Sequence, residues 1–325
     1  MTAQRLDLLT LGESMWRLSP PGVERLVTAR NLEIQIGGAE SNIAIALARL
    51  GKRVAWWSKL PRNALAENLL QVLRGHGVDV SGVVPDPDDD ARLGTYFIEF
   101  GAAPRPTRVI YDRARSAASK MQPDDFDWSV LRHTRHLHLS GITPALSASC
   151  QATVFRAVEE ARNAGTHVTL DLNYREKLWT WDACRPVVDR LAQKSDLVIS
   201  AARDARNLLQ EQGDAASLAR RLHDRWSGPI VVITQGAQET LAYDGTHLYC
   251  APAFSELTPV DRIGAGDAFA AGLHCALLEG MDMPGALRFG NAVAALKLSL
   301  PGDVALVNRA EVEELLAAAS GEIQR

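Results

Sequence analysis

The chain has 325 residues, 46% hydrophobic and 23% charged, enough for one large core or two domains of a globular protein. A formal net charge of −4 gives no electrostatic reason to expect nucleic acid or an anionic membrane as partner. Four scattered cysteines without CxxC spacing (Cys150, Cys184, Cys250, Cys275) argue for reduced thiols, no zinc site and a cytoplasmic location, as does the lack of signal-peptide features in Met1 to Leu11 or of any bilayer-length apolar run.

Leu6 to Gly12 reads as a buried strand ending in a glycine turn, and Met15 to Ile36 as strands with no helix between them. Ser41 to Leu50 places Ile43, Leu47 and Leu50 on one helical face, stopped by Gly51. A strand at Arg53 to Ser58 and a helix at Asn63 to Arg74 follow, then an acidic loop, Pro85 to Asp90. Leu93 to Asp112 is again strand without helix, its Thr95–Phe100 and Arg108–Tyr111 runs rich in aromatic and β-branched residues. Beyond it come strand His136 to Ser140, helix Ser147 to Asn163, strands His167 to Leu172 and Leu197 to Ser200, a helix near Asp204 to Gln210, strand Ile230 to Thr234, and helices Ala268 to Gly280 and Pro284 to Leu298.

This alternation predicts an α/β fold with a mainly parallel sheet and helices on both faces. Residues 15–36 and 91–113 read as two insertions that form a small β-sheet lid. Residues 1–14, 37–90 and 114–325 then form the main domain, which carries the binding sites. Gly12, Gly141, Asn173, Ser200 and Gly236 fall at or just past strand ends, where open α/β sheets bind ligands.

The run Asp261-Arg-Ile-Gly-Ala-Gly-Asp-Ala-Phe269 carries the clearest chemistry. Small residues let backbone N–H groups approach an anion, and the following helix start adds unpaired donors and partial positive charge. Asp267 beside such an anion site suits a base that takes a hydroxyl proton during phosphoryl transfer, with the amides of Gly264, Ala265 and Gly266 as the anion hole. The plain alternative is a capped helix after a glycine turn. A P-loop is absent, and Phe269 stands where a dinucleotide fingerprint needs its third glycine.

Gly37-Gly38-Ala39-Glu40-Ser41-Asn42 also permits close ligand approach, with a glycine turn and a helix N-cap at Ser41 as the structural alternative. Arg175, after the His167–Leu172 strand, suits bidentate bonding to a carboxylate or phosphate. Tyr111 and Arg113 form a candidate second clamp, although surface arginines with solvated heads are common. His133, His136 and His138 have no acidic or cysteine cluster nearby in sequence and read as core or surface histidines rather than metal ligands. Trp56, Trp57, Trp179 and Trp181 read as packing residues.

Together and in this order, the motifs resemble the ribokinase-like, PfkB-type family of sugar kinases: Gly37–Gly38 with Asn42 and Gly264-Ala-Gly-Asp267 are similar to its two signatures. Within it, Gly37–Glu40, His138–Leu146 and Leu170–Trp179 are similar to members that phosphorylate 2-keto-3-deoxygluconate. The resemblance implies a three-layer α/β fold with a β-sheet lid, ATP and Mg²⁺ as cofactors with room for a monovalent cation, and a homodimer or higher homo-oligomer through the lid. It implies that Gly37, Gly38, Asn42 and Ile142 line the sugar pocket, that Tyr96, Tyr111 and Arg113 reach in from the lid, that Arg175 meets the sugar carboxylate, and that Asp303 borders the substrate. Asp267 would be the base. Asn173, Ser200, Thr234, Gly236, Gly264, Gly266 and Asn291 would serve ATP; the metal ligands stay unassigned. The chain departs from the family pattern at Ala201-Ala-Arg-Asp204, where relatives carry Asn-x-x-Glu. It departs again at Gly236-Ala-Gln-Glu239, where Glu239 would bring a negative charge towards the nucleotide.

The expected reaction is ATP-dependent conversion of 2-keto-3-deoxygluconate to 2-keto-3-deoxy-6-phosphogluconate. A carboxylate substrate suits two arginines, whereas fructose needs none. The alternatives are a fructokinase or another ribokinase-like sugar kinase and, from a different class, a non-catalytic sugar- or nucleotide-binding regulator.

Overall fold

The computed structural model describes residues 5–254 and 257–319, so residues 1–4 of the Met1–Leu11 segment lie outside it. In chain order the first half contains β1 (Leu6–Leu11), β2 (Met15–Ser19), β3 (Glu33–Gly37), α1 (Ala39–Arg49), β4 (Val54–Trp57), β5 (Lys59–Leu60), α2 (Ala64–Gly75), β6 (Val84–Pro85), β7 (Thr95–Glu99), β8 (Arg108–Asp112), β9 (Thr134–Ser140) and α3 (Ala148–Ala164). The second half contains β10 (His167–Asp171), α4 (Trp181–Ala192), β11 (Leu197–Ala201), α5 (Ala202–Leu209), α6 (Ala215–Trp226), β12 (Ile230–Thr234), β13 (Thr240–Tyr243), β14 (Leu248–Ala251), α7 (Ala265–Leu278), α8 (Met283–Leu298) and α9 (Arg309–Ala319).

An eight-stranded sheet runs β14-β13-β12-β11-β10-β9-β1-β4. It is parallel from β4 to β12 and ends in an antiparallel hairpin, β13–β14. Its central strands are apolar on both faces, as a helix-covered parallel sheet requires. The strand period divides them between two cores. Leu8, Val54, Trp56, Leu197, Ile199 and Val232 pack with α1, α7 and α8. Leu9, Ala55, Trp57, Val198, Val231 and Ile233 pack with α3, α4 and α6 on the other side. This is the three-layer fold that the alternation predicts.

Helix ends follow local chemistry. Asn63 caps α2 by accepting from the amides of Leu65 and Ala66, and Ser147 caps α3 by accepting from Cys150. The small residues of α7 serve helix packing, since a Cβ on Gly272 would lie 2.8 Å from the Cα of Gly290 in α8.

Two helix starts differ from the sequence expectation. Helix α1 begins at Ala39 after Gly38, so Ser41 lies in the first turn instead of capping it; its hydroxyl bonds the Gly38 carbonyl and the Ser14 hydroxyl. Helix α7 begins at Ala265, three residues early, which puts Asp267 inside its first turn. Three helices (α4, α6, α9) and the β13–β14 hairpin are additional elements. Pro186 inside α4 explains one of them: a proline removes a helical hydrogen bond and normally reads as a breaker.

A separate four-stranded sheet, β3-β2-β7-β8, combines the two helix-free segments. Register puts Arg17, Tyr96 and Tyr111 in one cross-strand row, and Ile34, Leu18, Phe97 and Ile110 in the next. Successive residues of a strand face opposite ways. From the first row, Arg17 and Tyr96 reach Asp303 in the turn after α8; on the second, Ile34 and Ile110 are more than half exposed.

Candidate active site

The first turn of α7 forms the floor of the site. Its N-cap, Gly264, has φ 82°, and a Cβ there would sit 1.8 Å from the carbonyl oxygen of Asp303. Glycine is therefore required for both backbone and space. The first helical bond runs from the Ala268 amide to the Gly264 carbonyl at 2.9 Å, leaving the preceding amides without helical partners. Ala265 reaches the Arg262 carbonyl at 3.4 Å, so the donors best placed for an anion are Gly266 and Asp267 rather than the Gly264–Gly266 trio. Beyond its chain neighbours and its own helix backbone, no described atom lies within 4 Å of a Cβ added at Gly266; packing does not demand this glycine, and what it leaves open is the cleft.

Asp267 is buried, and the Asn42 side-chain amide donates to its Oδ2 at 2.7 Å. The other end of that amide, Oδ1, accepts from the Gly38 backbone at 3.3 Å, which fixes its orientation. Burial pushes the Asp267 carboxyl up to about 6, while the Asn42 hydrogen bond and the Arg175 charge pull it back. The result is a carboxylate that is ionised near neutrality yet still able to accept a proton.

Two further carboxylates join the site: Asp171, which the sequence did not single out, and Asp204, the acid that closes the Ala201–Asp204 stretch. Asp171 ends β10, and Asp204 stands in the first turn of α5; both are buried and line the same cavity as Asp267. Burial and the Asp267 charge push Asp171 up to about 8, against the pull of Arg175. Burial also raises Asp204, opposed mainly by Arg203. Asn173 turns the chain with φ 37°, and its amide donates to Asp171 at 3.1 Å. Arg175 donates to the Tyr174 carbonyl at 3.2 Å and has no ion pair among the described residues. Its charge is left for an anion within the cavity.

The lid supplies the opposite wall. The Tyr96 hydroxyl donates to Asp303 Oδ2 at 2.6 Å, and its ring stacks on Tyr111 at 5.7 Å. Arg17 pairs with both Asp303 and Asp261, the latter at 2.6 Å. Arg113 is not a free clamp: its Nε donates to Glu13 at 2.7 Å. Asp112, between Tyr111 and Arg113, pairs instead with Arg92 at 2.6 Å. Backbone closeness explains the paired glycines, because a Cβ would strike the Tyr96 hydroxyl from Gly37 and the Glu13 carbonyl from Gly38.

All ten expected sugar-side residues (Gly37, Gly38, Asn42, Tyr96, Tyr111, Arg113, Ile142, Arg175, Asp267 and Asp303) line one cavity of about 440 Å³. A neighbouring cavity of about 730 Å³ is walled by Phe254, Leu257, Pro259, Ala294, Ala295 and Leu298, an apolar slot suited to a flat base. Arg203, Thr234, Arg262 and Gly266 line both cavities and mark their junction. Arg203 and Arg262 are cations there without an assigned role from sequence.

The expected nucleotide residues are only partly united. Thr234, Gly236, Ala265, Gly266 and Asn291 line the larger cavity, while Asn173 and Gly264 line the smaller one. Ser200 lines neither: Ile199 and Ala201 face the smaller cavity, and the alternation of β11 turns Ser200 away, where its hydroxyl donates to the Ala201 carbonyl. Asn291 contributes wall but no free hydrogen bond. Its amide accepts from Thr240 at 2.8 Å and donates to the Ala251 and Pro252 carbonyls, tying α8 to the β13–β14 hairpin. Glu239 is exposed and its side chain lines neither cavity, so its charge does not crowd the slot. His136 and His138 lie on β9 against His274 of α7, with His138 Nδ1 3.0 Å from His274 Nε2.

A family model described as pfkB family carbohydrate kinase matches residues 5–311. The chain is 43% identical over 98% of its length to a 2-dehydro-3-deoxygalactonokinase of Haloferax volcanii, covering 99% of that protein. It is 31% identical to a 2-dehydro-3-deoxygluconokinase of Bacillus subtilis, covering 97% of this chain and 96% of the relative. The crystal structure of 2-dehydro-3-deoxygluconokinase from Thermotoga maritima superposes with a TM-score of 0.89 at 32% identity, over 96% of this chain and 99% of the other. With a phosphate-ready helix start and a buried carboxylate at the floor of a sugar-sized cavity, the chain belongs to the pfkB family of carbohydrate kinases.

Proposed function

We propose that this kinase transfers the γ-phosphate of ATP to the terminal hydroxyl of a 2-keto-3-deoxy sugar acid, turning 2-keto-3-deoxygluconate into its 6-phosphate. The observation that carries the reading is a buried carboxylate, Asp267, in one cavity with an arginine, Arg175, that has no ion pair among the described residues. Asn42 holds the carboxylate. Asp267 accepts the hydroxyl proton as the sugar oxygen bonds to the γ-phosphorus, the bond to the β–γ bridging oxygen breaks, and ADP leaves. The Gly266 and Asp267 amides and the α7 dipole receive charge on the transferred group. Arg175 takes the substrate carboxylate, and the adenine lies in the apolar slot beside α8.

Mg²⁺ fits this site. Asp171 and Asp204 are hard oxygen donors, and the Asp171 charge is disfavoured by burial, Asp267 and Asp204. Among the described residues no group of three metal-ligating side chains forms a closed cage, which suits an ion held by one or two carboxylates and phosphate oxygens. When bound, it offsets the phosphate charge.

A second substrate has specific support: the 43% identity to the Haloferax volcanii galactonokinase favours 2-keto-3-deoxygalactonate, which differs in the configuration of one carbon. Phosphorylation rates with the two keto-deoxy acids, fructose, ribose and tagatose test the reading. Preference for either acid supports it, and preference for a neutral sugar rejects it. The apolar row of Leu18, Phe97 and the exposed Ile34 and Ile110 on the lid supports assembly through that face. Light scattering checks it: a mass near 35.3 kDa excludes a stable dimer.

A further inference from the structure

The last turn of α8 carries a lysine in the protein interior. Lys297 has no solvent exposure. Its ammonium donates to the carbonyl oxygen of Asp261 at 2.9 Å and, at the limit of a hydrogen bond, to that of Leu300 at 3.5 Å. The neighbouring carboxylates are engaged elsewhere. Both Asp261 and Asp303 pair with Arg17, and Asp261 also accepts from the amides of Ile263 at 3.0 Å and Gly302 at 3.2 Å. Burying a charge without a direct counter-ion is costly. Here two cations, Arg17 and Lys297, and two carboxylates, Asp261 and Asp303, form a neutral buried cluster behind the catalytic turn. Burial works against the ammonium, and the Asp261 and Asp303 charges work for it.

The carbonyls that Lys297 holds define its effect. Asp261 opens the turn that ends at Gly264, the N-cap of α7; Leu300 opens the turn that ends at Asp303. The turns touch where Gly264 meets the Asp303 carbonyl. The ammonium therefore ties the bases of both turns together, three residues before the N-cap whose geometry aims the Gly266 and Asp267 amides. Carbonyl oxygens at this distance are also the ligands that a potassium or ammonium ion takes.

We propose that Lys297 is a positioning residue for phosphoryl transfer, a built-in monovalent cation that locks the Asp261–Gly264 turn, and that turnover consequently requires no added monovalent cation. The proposal rests on the kinase reading above, and one of its readouts is independent of activity. Lys297→Met removes the charge while filling the space, and Lys297→Ala opens room for an ion. Wild-type kcat is expected to agree within about twofold in potassium and tetramethylammonium salts. Lys297→Met should fold, with kcat lowered at least roughly tenfold and KM for the sugar little changed, as misaligned donors predict. Lys297→Ala should regain rate with potassium, ammonium or methylammonium but not with tetramethylammonium. Hydrogen exchange should show faster exchange at Ile263–Ala268 in both variants, whether or not a sugar is turned over. The proposal is overturned by wild-type kcat in Lys297→Met, by a wild type that depends on potassium, or by unchanged protection of the turn. A wild type inactive on every sugar, with the turn deprotected in the variants, rejects the kinase reading while leaving the structural lock in place.

Discussion

Asn42 and Asp267 stand 225 residues apart in the chain and meet through a 2.7 Å hydrogen bond that joins the first turns of α1 and α7. The glycine segment that opens α1 therefore does more than leave space. Through the Gly38 amide it orients Asn42, and Asn42 orients the Asp267 carboxylate.

That bond makes the pH profile a direct probe. Burial holds the Asp267 carboxyl up at about 6 and the Asn42 bond opposes the rise. The base must be ionised, so kcat/KM should fall as pH falls through about 6. In Asn42→Ala the lowering contribution is lost, and the acid limb should move to higher pH while plateau kcat also drops. An unmoved limb in a folded variant contradicts the coupling. The Asp267 charge raises the neighbouring Asp171, so the two titrations are coupled.

Arg175 should set selectivity for acid substrates. Losing one buried charge-assisted hydrogen bond costs about 2 kcal/mol, roughly thirtyfold in affinity. Arg175→Met is expected to raise KM for the keto-deoxy acid by about that factor and to affect a neutral sugar far less. The assay belongs well above pH 6, because Arg175 also lowers the Asp267 pKa. Equal losses on acid and neutral sugars would remove the carboxylate role.

The two glycines of the turn should separate folding from function. Gly264→Ala forces an alanine to φ 82° and into the Asp303 carbonyl, at a cost of at least about 2 kcal/mol, visible as a lowered melting temperature. Gly266→Ala meets no described atom beyond its chain neighbours and its own helix backbone and should keep its melting temperature while losing turnover, since the methyl group projects into the cleft. Thermal melts and kcat on both variants check the contrast; a fully active Gly266→Ala enzyme would show that the phosphate approaches elsewhere.

Asp204→Asn should weaken binding of the divalent cation without changing sugar affinity. Titrating Mg²⁺ at saturating substrates is expected to show a higher half-saturating concentration. An unchanged Mg²⁺ curve would leave Asp204 a buried acid braced by Arg203 at 3.2 Å.

Part of the cavity lining was legible in local patterns, paired glycines before a helix and an arginine beyond a strand, while Tyr96 and Asp303 entered only through the family resemblance. What stayed hidden depends on pairing across the sheet. Asp171 sits in an apolar strand and becomes significant only when folding sets it in the same cavity as Asp267 and Asp204. Arg17 meets partners 244 and 286 residues away, and nothing near Met15 to Ser19 announces either. Ser200 failed on strand phase, a one-residue question that end-of-strand placement does not answer. Asn291 lines the larger cavity as expected, but its side chain is engaged by partners in a hairpin absent from the sequence pattern. Arg113 lines the cavity, but its pairing with Glu13 depends on a contact across 100 residues.

The most direct measurement is the single-turnover rate of Asp267→Asn with ATP and 2-keto-3-deoxygluconate, alongside its melting temperature and sugar affinity. A folded protein that binds sugar within a few-fold of wild type and transfers phosphate on the order of a thousandfold more slowly is the expected result. A transfer rate equal to wild type would remove Asp267 as the base, and the proposed mechanism with it.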